Sequence, residues 1–527
     1  SPVPVQFRGV DLGYTGALHW ETKPSRTKGN ISVIPYVLSS SFRDFEASDG
    51  RAENNFRLGG DAKFAITSSL NLDVTLNPDF SQVDVDEQVT NLTTVNLRFP
   101  ERRLFFLENN DVFEDVGIPP MRPFFSRRIG LDEDGNTIPI LFGARLSGNV
   151  NKNLRMGAMN MQTKDLQNQP AENYGSFSFQ QRIFGRTNLK GYFHNRQRYH
   201  DGEFAKNNYN RVTGLEADFR SLDGKWRSVA GYGKSFTNDI QGDNYFYNSA
   251  IGYDGRTISA YTNLAGTGHN YITDIGLIPR SYHYDAVQDT SFRIGFDHWF
   301  TRFAYTIYPT IHPKVNAHEI GLRNVYDGTK DGQLINNEFE LNYMVRWQNS
   351  SSVNFMIANH DIQLLYPFDF TDQVPLPAAK YHFNFVGVEF ESDARRALGF
   401  KAGIETGQFY NGTRHQLALN LNYRVQPWGN FGLNFVQNEL NFPDPYGHES
   451  LSLIGPKIEL AFSTDLFWTT FLQYNTQEDN FNINSRFQWR FQPLSDIYVV
   501  YSDNYAVEFW GPRNRALVLK LNYWLNI

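Results

Sequence analysis

Residues 481–491 have the sequence FNINSRFQWRF, in which the odd-numbered positions carry Phe, Ile, Ser, Phe, Trp and Phe. The even-numbered positions carry Asn, Asn, Arg, Gln and Arg. Because successive side chains of a β-strand point to opposite faces, this alternation predicts one apolar face and one polar face. A strand of this kind is about 33 Å long, well beyond the roughly five or six residues usual in soluble proteins.

The same alternation recurs in residues 417–426 and 517–527, where Leu and Tyr alternate with polar side chains that include Asn, Arg and Lys. Short turns are predicted between such segments, for example at 184–186, 301–302 and 493–495. Longer polar connections are predicted at 200–209, 267–288, 323–332, 367–380 and 443–449. Tight turns that alternate with long loops are typical of antiparallel hairpins crossing a bilayer.

The composition restricts the class of protein. The chain is 15% aromatic, yet its mean hydropathy is -0.48, and no apolar run approaches the roughly 18 residues of a spanning helix. A helical membrane protein is therefore excluded. The net charge is -7 with neither sign concentrated in a tail, so we predict no nucleic-acid partner. Because the chain contains no cysteine, disulfides, thiol catalysis and cysteine-ligated metals are excluded as well.

We therefore predict an all-β fold, a transmembrane antiparallel β-barrel of about 24 strands (about 22–26) traced back in hairpins from Ile527. The alternative is a soluble β-sandwich array or propeller, which requires shorter strands. Aromatic residues near the ends of apolar faces favour the barrel, since they form girdles at membrane interfaces. Examples are Trp468, Trp510 and Trp524. The predicted location is the bacterial outer membrane, with outer-membrane lipids as partners.

Residues 81–138 do not alternate. They separate an N-terminal part with the first barrel strands, 1–80, from the remaining barrel strands, 139–527. A connection of this length inside a hairpin ladder is usually functional or disordered, and its aromatic content argues against disorder. Because a barrel of this size encloses a wide channel, we predict that the insertion plugs the lumen. The alternative is an extracellular loop folded over itself.

Two groups of side chains are expected to hold this plug together. Paired phenylalanines, with Phe113, would form a small apolar nucleus, and the arginines would pair with lumen carbonyls or with acidic groups. The acidic candidates are Asp84, Asp86, Glu87, Glu101, Glu108 and Asp111. The plug and gating candidates are Arg98, Arg102, Arg103, Phe105, Phe106, Glu108, Phe124, Phe125, Arg127 and Arg128.

A family resemblance is carried by three stretches, 77–83 (NPDFSQV), 99–108 (FPERRLFFLE) and 124–130 (FFSRRIG). Residues 276–280 (GLIPR) and the closing run 471–501 support it. The chain resembles an outer-membrane barrel domain of uncharacterised function that usually follows a carbohydrate-binding module of the family 9 type in diderm bacteria. The resemblance implies an outer-membrane barrel, and it brings no activity with it.

Catalytic and metal-binding signals are weak. The pair His360-Asp361 could belong to a hydrolase site, but a hydrogen-bonded polar pair is the more common arrangement. The stretch 132–136 (DEDGN) has the oxygen density of a calcium loop but lacks the bidentate Glu at the twelfth position, so a solvated Asp-Gly turn is expected. We predict no enzyme activity, no metal and no cofactor.

Two functions remain open. The first is a plugged or gated transport barrel for polar solutes or polymers such as carbohydrate. The second is a docking or structural subunit that anchors surface or periplasmic proteins of an assembly, secretion or nutrient-uptake complex. Inward strand positions are polar in any water-filled barrel, so lumen residues do not separate the two. The lumen candidates are Arg424, Arg486, Arg490 and Lys520.

Overall fold

The computed structural model describes residues 19–22, 31–47, 50–80, 86–95, 97–132, 135, 137–166, 169–200, 202–238, 240–312, 314–371 and 373–527. The strands in chain order are β1 (Ile31–Asp44), β2 (Ala52–Thr67), β3 (Leu70–Leu76), β4 (Ile140–Asn149), β5 (Leu154–Thr163), β6 (Ala171–Phe184), β7 (Thr187–His200), β8 (Glu203–Arg220), β9 (Trp226–Thr237), β10 (Tyr245–Asp254), β11 (Ile258–Thr267), β12 (Tyr282–Asp285), β13 (Thr290–Arg293), β14 (Phe296–Ile307), β15 (Val315–Thr329), β16 (Leu334–Trp347), β17 (Ser352–Gln363), β18 (Lys380–Glu391), β19 (Leu398–Phe409), β20 (Gly412–Val425), β21 (Gly429–Asn441), β22 (His448–Ala461), β23 (Leu466–Asn475), β24 (Asn480–Gln492), β25 (Ser495–Tyr505), β26 (Pro512–Asn522) and β27 (Leu525–Asn526).

Each wall strand pairs antiparallel with its neighbours in the chain, and the ring closes where β1 pairs with β26. Leu38 of β1 lies opposite Arg57 of β2 on one side and opposite Lys520 of β26 on the other. The short β27 continues the pairing along β1, and β12 with β13 forms a separate hairpin. Among the described residues, β1–β11 and β14–β26 form a closed barrel of 24 strands, which confirms the predicted fold.

The two faces of the wall differ as the sequence predicts. On β24, Phe487 pairs with Trp468 of β23, and both rings are exposed on the outer face. The next residue, Gln488, points inward and donates to the Asp496 carboxylate at 2.8 Å. On β26, Leu519 and Leu521 are exposed, whereas Lys520 between them is buried. We call the face with exposed apolar side chains the outer face and the opposite one the inner face.

The connections differ at the two ends of the barrel. One end, the short-turn end, carries turns of at most seven residues, such as 185–186, 308–314 and 493–494. The other end, the long-loop end, carries three long connections. These are 77–139, 268–295 and 364–379.

Three predicted connections are wrong. The predicted turn 301–302 lies inside β14, where Thr301 bonds to Thr262 of β11 at 3.0 Å. Most of 200–209 belongs to β8, and β15 continues to Thr329 through the predicted loop 323–332. In the last two cases the strands extend toward the long-loop end through segments rich in polar residues, so the composition resembles that of loops while the backbone ladder continues.

Helical structure is confined to connections. Two short α-helices, α1 (Leu104–Leu107) and α2 (Asp111–Glu114), follow β3, and single 3₁₀ turns occur at Ser126–Arg128 and Pro279–Ser281. In the described part of the chain, none of these helices has the length and hydropathy needed to cross a membrane.

Candidate functional site

The candidate site is the segment between β3 and β4, residues 77–139, which we call the inserted segment. It leaves and re-enters the wall at the long-loop end and contains α1, α2 and the 3₁₀ turn at Ser126–Arg128. Residues 81–85, 96, 133–134 and 136 of this segment lie outside the described residues. The predicted acidic partner Asp84 therefore lies outside the described residues.

Contacts of the inserted segment with the wall extend over almost the full length of the strands. Near the long-loop end, the backbone N–H of Asn91 donates to Gln477 at 2.8 Å, and the side chain of Gln473 donates to the Asp86 carbonyl at 3.0 Å. Near the short-turn end, Asn71, the second residue of β3, donates to Glu108 at 3.0 Å. The segment therefore contacts the inner face from one end of the wall almost to the other.

Apolar packing fixes the middle of the inserted segment. Phe106, Phe113 and Phe124 are almost completely buried and share one cluster with wall residues Met161 and Tyr174. The predicted apolar nucleus is therefore completed by the wall and is not self-contained. Phe105 packs at its edge, with its ring centroid 5.2 Å from that of Phe106.

A glycine in the wall makes room for this packing. The Phe113 ring lies so close to Gly157 of β5 that a Cβ atom at position 157 would be 2.5 Å from its Cζ. Real Cβ atoms do not approach other heavy atoms this closely, so a larger residue would displace the ring. The sequence signal for this contact is a glycine inside a strand, which marks a close approach but does not identify the partner.

Arg103 is the centre of the polar framework of the segment. Its guanidinium donates to Glu101 at 2.8 and 2.9 Å, to the Ser126 carbonyl at 2.7 Å and to the Ile129 carbonyl at 2.7 Å. Burial would raise the pKa of the Glu101 carboxyl, but the hydrogen bonds and the charge of Arg103 outweigh burial and hold this pKa below its usual range. The Glu101–Arg103 pair therefore joins α1 to the 3₁₀ turn.

The other predicted arginines differ in their contacts. Arg102 and Arg127 both pair with Asp86, Arg102 at 3.3 Å. Arg98 lies over the ring of Phe125 at 5.3 Å from its centroid. In the described part of the chain, the Arg128 side chain makes no hydrogen bond or ion pair.

Two acidic residues of the segment pair with cations of the wall. Glu108 forms an ion pair with Lys63 of β2, and this contact with the hydrogen bond from Asn71 outweighs burial and lowers the pKa of Glu108. Asp111 accepts a hydrogen bond from Arg155 of β5 at 2.7 Å. Lys63 and Arg155 lie on β2 and β5, the strands that flank β3 and β4, which the segment connects.

Lys190 of β7 is a site residue that the sequence analysis missed. Its ammonium donates to the Asp115 carbonyl at 2.7 Å and lies 3.3 Å from Glu216 of β8. Glu216 in turn accepts the backbone N–H of Gly117 at 2.9 Å. The sequence signal for Lys190 is a charged residue at an inward position of an alternating strand. This signal does not identify the partner, Asp115, which lies 75 residues away.

The four lumen candidates lie in different surroundings. Lys520 is buried and bonds to the Asp79 carbonyl at 3.0 Å, so it belongs to the inserted segment's contacts. Arg490 pairs with Asp496 at 3.3 Å, and Arg424 donates to the Arg396 carbonyl of a turn at 2.7 Å. Arg486 faces inward opposite Thr469. The structure does not bring these four together into one cluster.

His360 and Asp361 do not form a pair. Asp361 is on the outer face and contacts His382 at 3.0 Å, whereas His360 is on the inner face next to Glu338 of β16. Successive residues of a strand point to opposite faces, so the two side chains cannot act on one substrate.

One group of side chains has metal-ligand composition. Glu338, Glu340 and His360 have ligand atoms within 4.8 Å of one another in the described part of the chain. Arg323 of β15 donates to Glu338 at 3.3 Å and to Glu340 at 2.5 Å. Its charge compensates both carboxylates, so we assign this group to the ion pairs of the inner wall.

The predicted turn at 132–136 is described only in part, because residues 133, 134 and 136 lie outside the described residues. Leu131 and Thr137 on either side of it form an antiparallel bridge. Gly135 has a φ of +83°, in the left-handed region that glycine adopts readily.

Comparisons with solved structures give low similarities. The siderophore receptor PirA from Acinetobacter baumannii is 8% identical with a TM-score of 0.41, covering 96% of this chain and 81% of the receptor. The FrpB iron transporter from Neisseria meningitidis is 9% identical with a TM-score of 0.39, and the match covers 94% of this chain and 81% of the transporter. OccK10 from Pseudomonas aeruginosa is 9% identical with a TM-score of 0.31, and the match covers 95% of this chain and 99% of OccK10. Likenesses at this level do not decide function.

The search of curated proteins gives no match. A family model described as a domain of unknown function, DUF5916, matches residues 30–442. The match supports the resemblance to a barrel domain of uncharacterised function, while the association with a family 9 carbohydrate-binding module stays a prediction. Because this model covers well over half of the sequence, the chain belongs to the DUF5916 family.

Proposed function

We propose that the chain is an outer-membrane barrel in which the inserted segment plugs the lumen and is displaced to admit polar solutes. The observation that carries this proposal is the distribution of the segment's wall contacts. Polar contacts involve one arc of the ring: Lys63 on β2, Arg155 on β5, Lys190 on β7, Gln473 on β23 and Lys520 on β26. Apolar contacts involve the opposite arc, where Ile118 shares a buried cluster with Phe246 of β10 and Phe296 of β14. Leu92 packs against a further cluster that includes Phe383 of β18 and Leu440 of β21. A loop folded over the outside of one hairpin would contact only its neighbours.

The outer face supports a membrane environment. Exposed apolar side chains form a belt on strands that mostly have 10 to 16 residues, long enough to span the roughly 25 Å apolar band of outer-membrane barrels. Exposed apolar area on this scale is unusual for a soluble protein. It is the composition expected of a surface that contacts lipid.

The contacts also explain how the plug could leave. Much of the segment's attachment to the wall consists of ion pairs and hydrogen bonds, such as Glu108 with Lys63 and Asp111 with Arg155. These groups can exchange a protein partner for water at modest net cost. The wall is hydrogen-bonded independently of the segment, because β1 pairs with β26. Displacement therefore leaves the barrel intact.

The cargo class follows from the inner face. Many inward positions away from the inserted segment are polar or charged, among them Asn420, Asn422 and Arg424 on β20. Such a surface suits a hydrated solute, and we extend the proposal to polar solutes or polymers such as carbohydrate. We propose no catalytic step.

The test is the planar-bilayer conductance of the full chain and of a variant in which residues 81–138 are replaced by a short Gly-Ser linker. We expect the full chain to be mostly closed and the deletion variant to conduct steadily while remaining heat-resistant. A matched control deletes the hairpin 282–293, which leaves the inserted segment in place.

A folded deletion variant that stays closed would contradict the plug. In that case other loops seal the pore, and the second function, a docking scaffold for surface or periplasmic proteins, would be favoured. A deletion variant that does not fold would show that the segment is part of the wall's core, which also contradicts a releasable plug.

A further inference from the structure

The outer face of β6–β9 contains an apolar groove near the middle of these strands. Its volume is about 550 Å³. Gly191 of β7 forms part of its floor, and the ring of Phe179 lies over that glycine. Its apolar lining also includes Phe177, Phe193, Leu215, Tyr232 and Phe236. The groove is open to the outside of the barrel and lies on the belt that contacts lipid.

A lysine stands inside this apolar surface. Lys234 of β9 lines the groove and is exposed, whereas its neighbours Gly233 and Ser235 are buried on the inner side. Its register partners, Thr213 of β8 and Tyr245 of β10, also point outward. In the described part of the chain no acidic side chain pairs with Lys234.

A second cation lies next to it. Arg211 of β8 is two residues from Thr213, so it is a diagonal neighbour of Lys234, at a separation of roughly 7–8 Å between the two residues. Its Nε donates to the Asn195 side chain at 3.1 Å, and its guanidinium lies 4.4 Å from the centroid of the Tyr209 ring. These neutral partners orient Arg211 without compensating its charge.

A third cation extends the row. Lys330, in the turn between β15 and β16, lies 5.3 Å from the ring centroid of Tyr245 and 5.0 Å from that of Tyr247. It forms an ion pair with Asp297 on the outer face of β14. The row from Arg211 through Lys234 to Lys330 therefore carries a net positive charge, at the border of the apolar belt that faces the long-loop end.

We propose that this surface binds a phosphorylated lipid of the outer leaflet, with one acyl chain in the groove and its phosphates on Arg211 and Lys234. Uncompensated cations at the edge of an apolar surface are costly in hydrocarbon and favourable beside anionic headgroups. The groove supplies apolar contact for a chain, which a free ion or a hydrophilic protein would not use. The inference rests on the proposed membrane placement of the barrel.

The experiment uses the full chain in nanodiscs of phosphatidylcholine with a small fraction of diphosphorylated lipid A. Native mass spectrometry counts the lipid A molecules retained on the protein, and a titration gives their dissociation constant. For the double variant Arg211→Gln with Lys234→Gln we expect the dissociation constant to rise about 30-fold, because each basic side chain near a charged lipid surface contributes about fivefold. Lys234→Arg should bind like the wild type.

The matched control is Lys380→Gln. Lys380 is an exposed outward-facing cation at the same end of the barrel, but it pairs with Asp361 at 3.9 Å and does not line the groove. It should leave lipid A binding unchanged. Monophosphorylated lipid A should bind more weakly than the diphosphorylated form, and inorganic phosphate should not compete at comparable concentration.

Three results would overturn the proposal. They are equal binding by the double variant and the wild type, an equal loss in the Lys380→Gln control, and full competition by inorganic phosphate, which would indicate an ion site. Insertion into lipid is scored first by heat-resistant folding. A barrel that inserts but shows no preference for lipid A contradicts this inference alone, whereas a chain that does not insert contradicts the proposed membrane function.

Discussion

Replacing Arg103 with methionine should open the barrel intermittently without unfolding its wall. The partners of this guanidinium, Glu101, Ser126 and Ile129, all belong to the inserted segment. The guanidinium also lies 4.3 Å from the centroid of the Phe106 ring. The substitution keeps much of the apolar contact and removes the charge, so its effect is confined to the polar framework of the plug.

The size of the expected effect on channel opening follows from the buried Glu101 carboxylate that the substitution leaves without a cation. The Glu101 side chain is only 3% exposed, so removal of Arg103 leaves a buried carboxylate without its cation. Breaking such a buried pair costs about 3–5 kcal/mol. If this cost falls on the closed arrangement of the segment, the closed-to-open ratio drops by roughly 100- to 4000-fold, at about 1.4 kcal/mol per tenfold.

The assay is single-channel recording in planar bilayers, with open probability as the readout. Heat resistance on denaturing gels and the β-sheet circular dichroism signal report on the wall. Arg128→Met is the matched control, because it removes the same charge from the same segment at a side chain with no hydrogen bond or ion pair among the described residues. If the Arg103 and Arg128 variants have the same open probability, the ion pair does not hold the plug, and the reasoning is refuted.

Acidification should mimic this substitution. The pKa of Glu101 is lowered in the folded chain, so its stabilising contribution is complete above the free value of about 4.3 and is lost as pH falls through the folded value. Open probability should rise reversibly below about pH 4, and a Glu101→Gln variant that kept the same pH response would contradict this assignment. Substitution of Gly157 by leucine should displace Phe113 and raise the open probability at neutral pH, and a closed variant would show that the ring can be accommodated elsewhere. Phe487→Arg should destabilise the barrel in lipid vesicles by about 2–4 kcal/mol, since it puts a charge on the outer face, whereas Gln488→Arg should be nearly neutral because Asp496 accepts its hydrogen bonds. Equal costs would refute the assignment of faces. The fluorescence of Trp468, Trp510 and Trp524 should be quenched most by lipids that carry the quencher close to the headgroups. Strongest quenching by a quencher at the bilayer centre would contradict their position at the membrane interface.

The sequence alone was sufficient for the class of fold. The alternation in 481–491 depends only on the direction of successive side chains in one strand, so it can be recognised without knowledge of any neighbour. Repeated along the chain, it indicates a barrel and assigns Leu519 to the outer face and Lys520 to the inner face. It failed where local composition was ambiguous, as at 301–302, because two polar residues can occupy a strand as readily as a turn.

The partners of the inserted segment required the tertiary structure. Arg103 could be recognised as a candidate because Glu101 lies two residues away, but Lys190 could not, because its contact with Asp115 depends on the path of a connection that leaves the wall four strands earlier. Lys520 meets Asp79 only because the ring closes and brings together residues 441 positions apart. Many inward positions of such a barrel are polar for the same local reason, and burial by the segment decides which of them is paired. That burial depends on three-dimensional closure, which no periodicity within a single strand can encode.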